Sequence, residues 1–370
     1  MEKFNLIIPT RERADSLLYT LSTVVKLDYD NLNILVSDNY SQDNTREVVE
    51  SFRDERIHYV NTGRRLSMAG NYEFALSNVN EGWVSYLGDD DAVLPNAVSN
   101  LVMLAIQADV DAVSSSIYRF SWGRPEVNLP GILHAPKVVL SEIKDSRLEL
   151  QKLLSGEGCY ATSYSELPWV YHGGAVKMEV INRAKSTTGS FFLSPIPDVY
   201  SAIAISRVTK RYLRIGEPFF ISGNSRHSIG VSQTRFFASS KQKREFAKFV
   251  EEFEIPFDQQ YVLGKSLPII VYEAARKSEF LGGGVAVPDL DKQLQVALKF
   301  SGKNLPFIFL EVYKILMLNN RSFSLDLVTG LFSWLKYNIK KVGQSSGKRY
   351  VLANESTVVD AVSFIQTLKG

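Results

Sequence analysis

Trp83-Val84-Ser85-Tyr86-Leu87-Gly88-Asp89-Asp90-Asp91-Ala92-Val93-Leu94-Pro95 is the stretch from which the fold is read. Trp83 to Leu87 carries no charge and suits a buried strand, and three carboxylates follow almost at once. Acids crowded at a strand end repel one another unless a cation or strong hydrogen-bond donors sit among them. Oxygen ligands of this kind suit Mg²⁺ or Mn²⁺, which usually keep part of their coordination shell for phosphate oxygens. The plainer role is a solvated acidic turn leading into a helix near Pro95. What surrounds the triplet bears on the choice.

Before it, Leu6-Ile7-Ile8 is an apolar run ended by Pro9, and Leu17, Leu18, Leu21, Val24 and Val25 recur at helical spacing. Leu32 to Val36 and Ile57 to Val60 read as further strands. Val48, Val49 and Phe52 mark a helix behind the cap candidates Asp43 and Asn44, and Asn71 to Val79 another. After it, Leu94, Val98, Leu101, Val102 and Ala105 form a helical stripe, and a strand runs through Ala112-Val113. This alternation predicts an α/β fold, a mostly parallel sheet flanked by helices. Ligands of such sheets bind beyond the carboxyl ends of the strands. Thr10-Arg11, Asp38-Asn39 and the triplet should therefore meet along one edge.

Residues 121–170 are less regular, with a charged helical piece expected from Ser141 to Leu154. A helix is expected to start near Asp198, and from residue 236 amphipathic helical segments run to the end. A chain of 370 residues can hold two domains. The 45% hydrophobic and 22% charged fractions are those of a globular protein, and a net charge of +2 gives no reason to expect nucleic-acid binding. The single Cys159 rules out an intrachain disulfide and fits a reducing compartment. No signal peptide is expected, and no stretch approaches the ~20 apolar residues of a membrane span.

The strand-end segments carry a family resemblance. Leu6-Ile7-Ile8-Pro9-Thr10-Arg11-Glu12-Arg13 resembles the first strand and nucleotide loop of the family-two glycosyltransferases with the GT-A fold. Val36-Ser37-Asp38-Asn39-Tyr40-Ser41 resembles the second signature, in which a carboxylate meets the base or ribose. Gly70-Asn71 with Ala75-Leu76 is similar to the helix after the third strand, and Gly88-Asp89-Asp90-Asp91 with Pro95 to the metal-binding DxD segment. The ordered set is more specific than any one member. It implies a GT-A-type catalytic domain over 1–235, with a nucleotide-sugar half (1–120) and an acceptor half (121–235), and a helical C-terminal region over 236–370.

The resemblance further implies an inverting, metal-dependent transferase, cytoplasmic and compatible with the inner membrane surface. It would use a nucleotide-diphosphate sugar, UDP-linked, and a glycan or lipid-linked glycan acceptor in bacterial surface polysaccharide synthesis. Pro9, Thr10, Arg11, Asp38, Asn71, Asp89 and Asp90 would meet the donor. Asp90 and Asp91 would hold Mn²⁺ or Mg²⁺ with His227, and Asp89 in support. Asp198, in Pro197-Asp198-Val199-Tyr200, stands where the family carries its catalytic base; an acceptor hydroxyl needs such a carboxylate to take its proton. Each residue also has a plainer role: Asp38 could cap the Asn39–Ser41 turn, Asn71 and Asp198 their helices, and His227 could be structural. Arg11 and Arg13 could pair with the diphosphate through their planar forks, with a solvated surface arginine the plainer role for Arg13; Arg64 and Arg65 stand in a loop near the same edge, and Trp169 is the expected sugar-stacking face. Two departures stand out: Ser37 where the family often has an acid, and Gly88 where it usually has Asp.

Two other classes compete. A sugar-nucleotide pyrophosphorylase should open with a Gly-rich phosphate loop, and Pro9-Thr10-Arg11-Glu12-Arg13 contains no glycine. A catalytically inactive glycan-binding scaffold would not need both the triplet and Asp198. In the tail, Leu331, Phe332, Trp334, Leu335 and Ile339 lie beside Lys336, Lys340 and Lys341. That pairing suits contact with an anionic membrane, a homo-oligomer interface or packing onto the catalytic domain. If it is an anchor, removal of 321–370 should release the protein from lipid vesicles and leave a folded core.

Overall fold

The computed structural model describes residues 1–157, 164–225, 251–252, 254–341 and 347–369. Strand and helix alternate through the first third: β1 (Phe4–Thr10), α1 (Ala14–Val24), β2 (Leu32–Asp38), α2 (Thr45–Ser51), β3 (Ile57–Asn61), α3 (Met68–Leu76), β4 (Trp83–Tyr86), β5 (Ala92–Val93), α4 (Ala97–Gln107) and β6 (Ala112–Ser121). There follow β7 (Ile132–Ala135), β8 (Glu142–Asp145), α5 (Ser146–Ser155), β9 (Gly174–Lys177), α6 (Met178–Lys185), α7 (Pro197–Val208) and β10 (Arg211–Asn224). The last part holds α8 (Leu267–Lys277), α9 (Leu290–Lys299), α10 (Leu305–Leu318), α11 (Leu325–Lys341), β11 (Lys348–Val351) and α12 (Val358–Lys369).

The run Leu6-Ile7-Ile8 is apolar throughout because both faces of its sheet are covered. Leu6 and Ile8 enter a core with Leu17, Leu21, Val98 and Leu101 of α1 and α4. Ile7, Leu35, Val84 and Tyr86 enter the opposite one, against α3, α6 and α7. The sheet runs β11-β7-β6-β9-β4-β1-β2-β3. Its nucleotide side is parallel: β1 pairs with β2 and β4, and β2 with β3. Beyond β4 it becomes mixed, since β9 runs antiparallel to β4 and β6, while β10 runs parallel to β6 and antiparallel to β5 and β8.

Two segments depart from expectation. Glu142–Asp145 is a strand and the helix begins only at Ser146, because pairing with β10 outweighs the weak local helical preference. The region 236–370 is not purely helical either. β11 pairs with β7, and Val358, Ala361 and Ile365 of α12 pack in a core with Leu94, Phe120 and Leu133. Helices α8 and α9 share the core of α7. Removing 321–370 would therefore strip buried side chains from the sheet, so that truncation is a poor test of membrane contact.

Candidate active site

The parallel register brings the strand ends together. Thr10 lies opposite Asp38 across β1 and β2, and Asp38 opposite Asn61 across β2 and β3. Leu87, just past β4, donates its amide to Ile7, which sets the triplet beside the end of β1.

All three triplet carboxylates are buried, and each is held by its own donors. Asp89 accepts from the Thr10 hydroxyl at 2.8 Å and pairs with Arg13 at 2.8 Å. Burial pushes the Asp89 carboxyl up to about 6, with Asp90 adding to the rise and Arg13 and Thr10 opposing it. Burial also works against the Arg13 charge, but Asp89 and Asp90 more than offset it and hold the guanidinium above its ordinary value. Arg13 is thus not the solvated side chain expected; the N-terminal end of α1 turns it inward.

Asp90 accepts from the Ser225 hydroxyl at 2.7 Å and the Ser225 amide at 3.2 Å. Asp91 accepts from the amides of Gly88 and Gly223 and from His172 Nε2, each at 2.7 Å. His172 is the site residue that sequence reasoning missed. It arrives from the segment just before β9, at φ 42°, next to Gly173 at φ 82°. That paired left-handed turn, just before a second glycine, was the one available signal. His227, the expected metal ligand, lies outside the described residues.

The structure also accounts for Gly88. A side chain there would run into the Asp91 carboxylate and the Tyr171 hydroxyl, so the space of the family's usual Asp is already filled. Gly223 is equally constrained, because a Cβ would collide with the Asp90 carbonyl. Gly223→Ala is expected to push β10 off the triplet, at a cost on the order of 1–3 kcal/mol. A denaturation midpoint equal to that of the parent would refute this.

The remaining donor-side residues are less open than their sequence suggested. Asp38 takes its capping role: Oδ1 accepts from the Ser41 amide at 3.0 Å, and Oδ2 from Tyr59 and Asn61 at 2.6 and 2.9 Å. A base or ribose donor would have to reach the remaining lone pair of Oδ1, beside the Ser41 amide. Asn71 exchanges hydrogen bonds with Ser37, tying α3 to β2, and the cap of α3 is Ser67 instead. Ser37, where an acid is common, is thereby a partner of Asn71. Pro9 is half-buried within β1. Arg11 reaches Glu252 at 2.7 Å, Arg65 the same carboxylate at 2.8 Å, and Arg64 meets Glu254 at 3.3 Å. These pairs are partly exposed, so each is worth ~0–1 kcal/mol and yields readily to a competing anion.

On the other side, α7 opens with Pro197 at its first position and presents Asp198 in its first turn. The Tyr164 hydroxyl donates to Asp198 Oδ2 at 2.7 Å, and among the described residues Oδ1 has no hydrogen-bond partner. Burial, then Asp198, holds the Tyr164 hydroxyl well above its ordinary pKa, so it stays a donor. Tyr72 and Tyr171 connect the two sides. The Tyr72 hydroxyl is raised chiefly by burial, with contributions from Asp198, Asp91 and Asp89; that of Tyr171 by burial, Tyr72, Asp91, Asp90 and Asp198. One electrostatic environment thus takes in the triplet and Asp198.

Trp169 differs from the expected open stacking face. It is only 3% exposed and packs edge-on against Tyr164, Tyr171 and His172. Its indole Nε1 is buried without a hydrogen-bond partner among the described residues. Sugar stacking was read from residue type alone, and the surrounding rings occupy those faces.

Among the described residues no three His, Cys, Asp or Glu side chains form a ready-made cation cluster. The donor set nevertheless suits a hard divalent ion. Asp89 is committed to Arg13, whereas Asp91 is oriented by two amides and His172, and Asp90 by Ser225. Carboxylates held in this way would offer an ion oxygen ligands and leave the rest of its shell to phosphate oxygens and water.

An open α/β sheet with acids at the carboxyl ends of its parallel strands, facing an aromatic-walled second carboxylate, defines a GT-A-type architecture. Residues 5–162 match the model described as glycosyl transferase family 2. Over 108 residues it is 33% identical to the GalNAc(5)-diNAcBac-PP-undecaprenol beta-1,3-glucosyltransferase of Campylobacter jejuni, covering 28% of this chain and 35% of that one. Over 157 residues it is 25% identical to the Escherichia coli UDP-Glc:alpha-D-GlcNAc-diphosphoundecaprenol beta-1,3-glucosyltransferase WfgD, covering 42% and 57%. The match thus spans between a third and three-fifths of these relatives. In fold, the chain is similar to S. aureus TarS 1–349 in complex with UDP-GlcNAc, with a TM-score of 0.50, 12% identity and coverage of 96% and 98%.

Proposed function

We propose that the protein is an inverting glycosyltransferase that moves a sugar from a nucleotide diphosphate, UDP in the leading reading, to a hydroxyl of a lipid-linked glycan in bacterial polysaccharide synthesis. The observation that carries the reading is the chain of contacts that joins Asp91, through His172, Trp169 and Tyr164, to Asp198. The acceptor class follows the two relatives, whose names specify undecaprenol-linked glycans.

In this reading Asp198 Oδ1 takes the proton of the acceptor hydroxyl while that oxygen bonds to the anomeric carbon. The bond from that carbon to the diphosphate breaks, and its electron pair leaves with the nucleotide. Tyr164 fixes the orientation of the base. Arg11 exchanges Glu252 for the diphosphate, a swap of one anionic oxygen for another. Asp90 and Asp91 would hold Mn²⁺ or Mg²⁺, which neutralises charge gathering on the diphosphate.

A screen of nucleotide sugars with and without Mn²⁺ tests this. A true donor should raise the unfolding temperature in a concentration-dependent way and be hydrolysed slowly without acceptor. A donor held about 100-fold above its Kd adds ~2.7 kcal/mol of apparent stability. Binding without any nucleotide release under acceptor would instead indicate a scaffold.

A further inference from the structure

Helices α10 and α11 are apolar on two opposite faces, whereas an ordinary surface helix is apolar on one. In α10, Ile308, Val312, Ile315 and Leu316 are buried in the core, yet Leu310, Tyr313 and Met317 form a second stripe that is about half exposed. In α11, Leu327 is buried, and Leu325, Val328, Phe332 and Leu335 repeat at helical spacing along the exposed side. The Phe309 and Phe323 rings meet at 5.8 Å and join the N-terminal half of α10 to the approach of α11. Leu331 packs against the core and the Trp334 indole donates to the Gly302 carbonyl, so these two belong to the inward side.

We propose that this surface seats the protein on an anionic lipid bilayer. Residues 301–341 carry six Lys and Arg against two acids. One of the acids, Glu311, is turned to the Lys265 and Ser266 amides and largely buried. Lys303, Lys314 and Lys336 are exposed beside the apolar stripes. Apolar side chains ringed by cations match a bilayer of anionic headgroups over acyl chains. A second copy of the chain would bring the same cations against one another. No helix among the described residues is long and apolar enough to cross a membrane, so the contact lies in the plane of the surface. The inference deepens the transferase reading, on which it rests for its purpose: a lipid-linked acceptor is presented at such a surface.

The test uses the full chain in co-sedimentation with phosphatidylcholine vesicles, with and without phosphatidylglycerol. The parent should pellet with the anionic vesicles only, and less so at high salt. Leu310→Ser combined with Phe332→Ser, and separately Lys314→Glu with Lys336→Glu, should each weaken binding at least ~10-fold. All four positions are exposed, so the urea midpoint should not move. A parent that stays in the supernatant, a serine variant that binds as tightly, or a dimer that the serine variant abolishes without vesicle binding would each overturn the proposal. Vesicle binding with no nucleotide release from any donor would defeat the transferase reading and leave this one standing.

Discussion

Asp198→Asn is expected to lower transfer by about 10²- to 10⁴-fold, the usual contribution of a positioned general base, while donor affinity stays within about twofold of the parent. Asparagine keeps an oxygen for the Tyr164 hydroxyl and stays in the first turn of α7, so the cleft should hold its shape. What it lacks is the basicity to take a proton from the acceptor. The loss should therefore fall on kcat, and the donor-induced rise in unfolding temperature should remain. Full turnover in Asp198→Asn would remove the base assignment. Loss of donor binding together with turnover would mean that Asp198 shapes the pocket.

Arg13→Met should give the largest stability effect, about 3–5 kcal/mol, because it leaves the buried Asp89 carboxylate without its cation. The cost should depend on pH in a defined direction. Asp89 has a folded pKa of about 6 against 3.8 unfolded, so the folded state binds its proton more tightly. Its contribution to stability is therefore greatest below pH 4 and declines as pH rises toward 6. Without Arg13 the folded pKa rises further, so the variant should lose stability over a wider pH range. Urea unfolding of parent and variant between pH 4 and 8 would measure this, and a variant equal to the parent at pH 8 would contradict the ion pair. Combining Arg13→Met with Asp89→Asn should recover part of the loss, since no buried charge is then stranded.

The two experiments probe different properties of one rim. Asp198 is half-buried and keeps an oxygen unpartnered among the described residues, as a proton acceptor requires. Asp89 is spent on Arg13 and Thr10, and holds β1 and β4 in register at the site. Among three consecutive acids, Asp89 meets a guanidinium, while Asp91 meets two backbone amides and His172, and Asp90 meets Ser225. That division was not legible from Asp89-Asp90-Asp91 as a string, where the three are chemically alike.

What the sequence determined by itself was the order of the layers and the edge where the chemistry gathers. Apolar runs alternating with helical spacing dictate a parallel arrangement, and parallel strands end on the same side, so Thr10, Asp38 and the triplet had to converge. Tertiary structure alone decided which side chain each acid meets. His172 and Tyr164 come from a segment without periodicity, and His172 lies 81 residues along the chain from the Asp91 that it meets. The exclusion of any side chain at Gly88 and the burial of Trp169 depend on atoms from other elements. Periodicity encodes which face of an element is covered; distance between remote side chains arises only when those faces are packed.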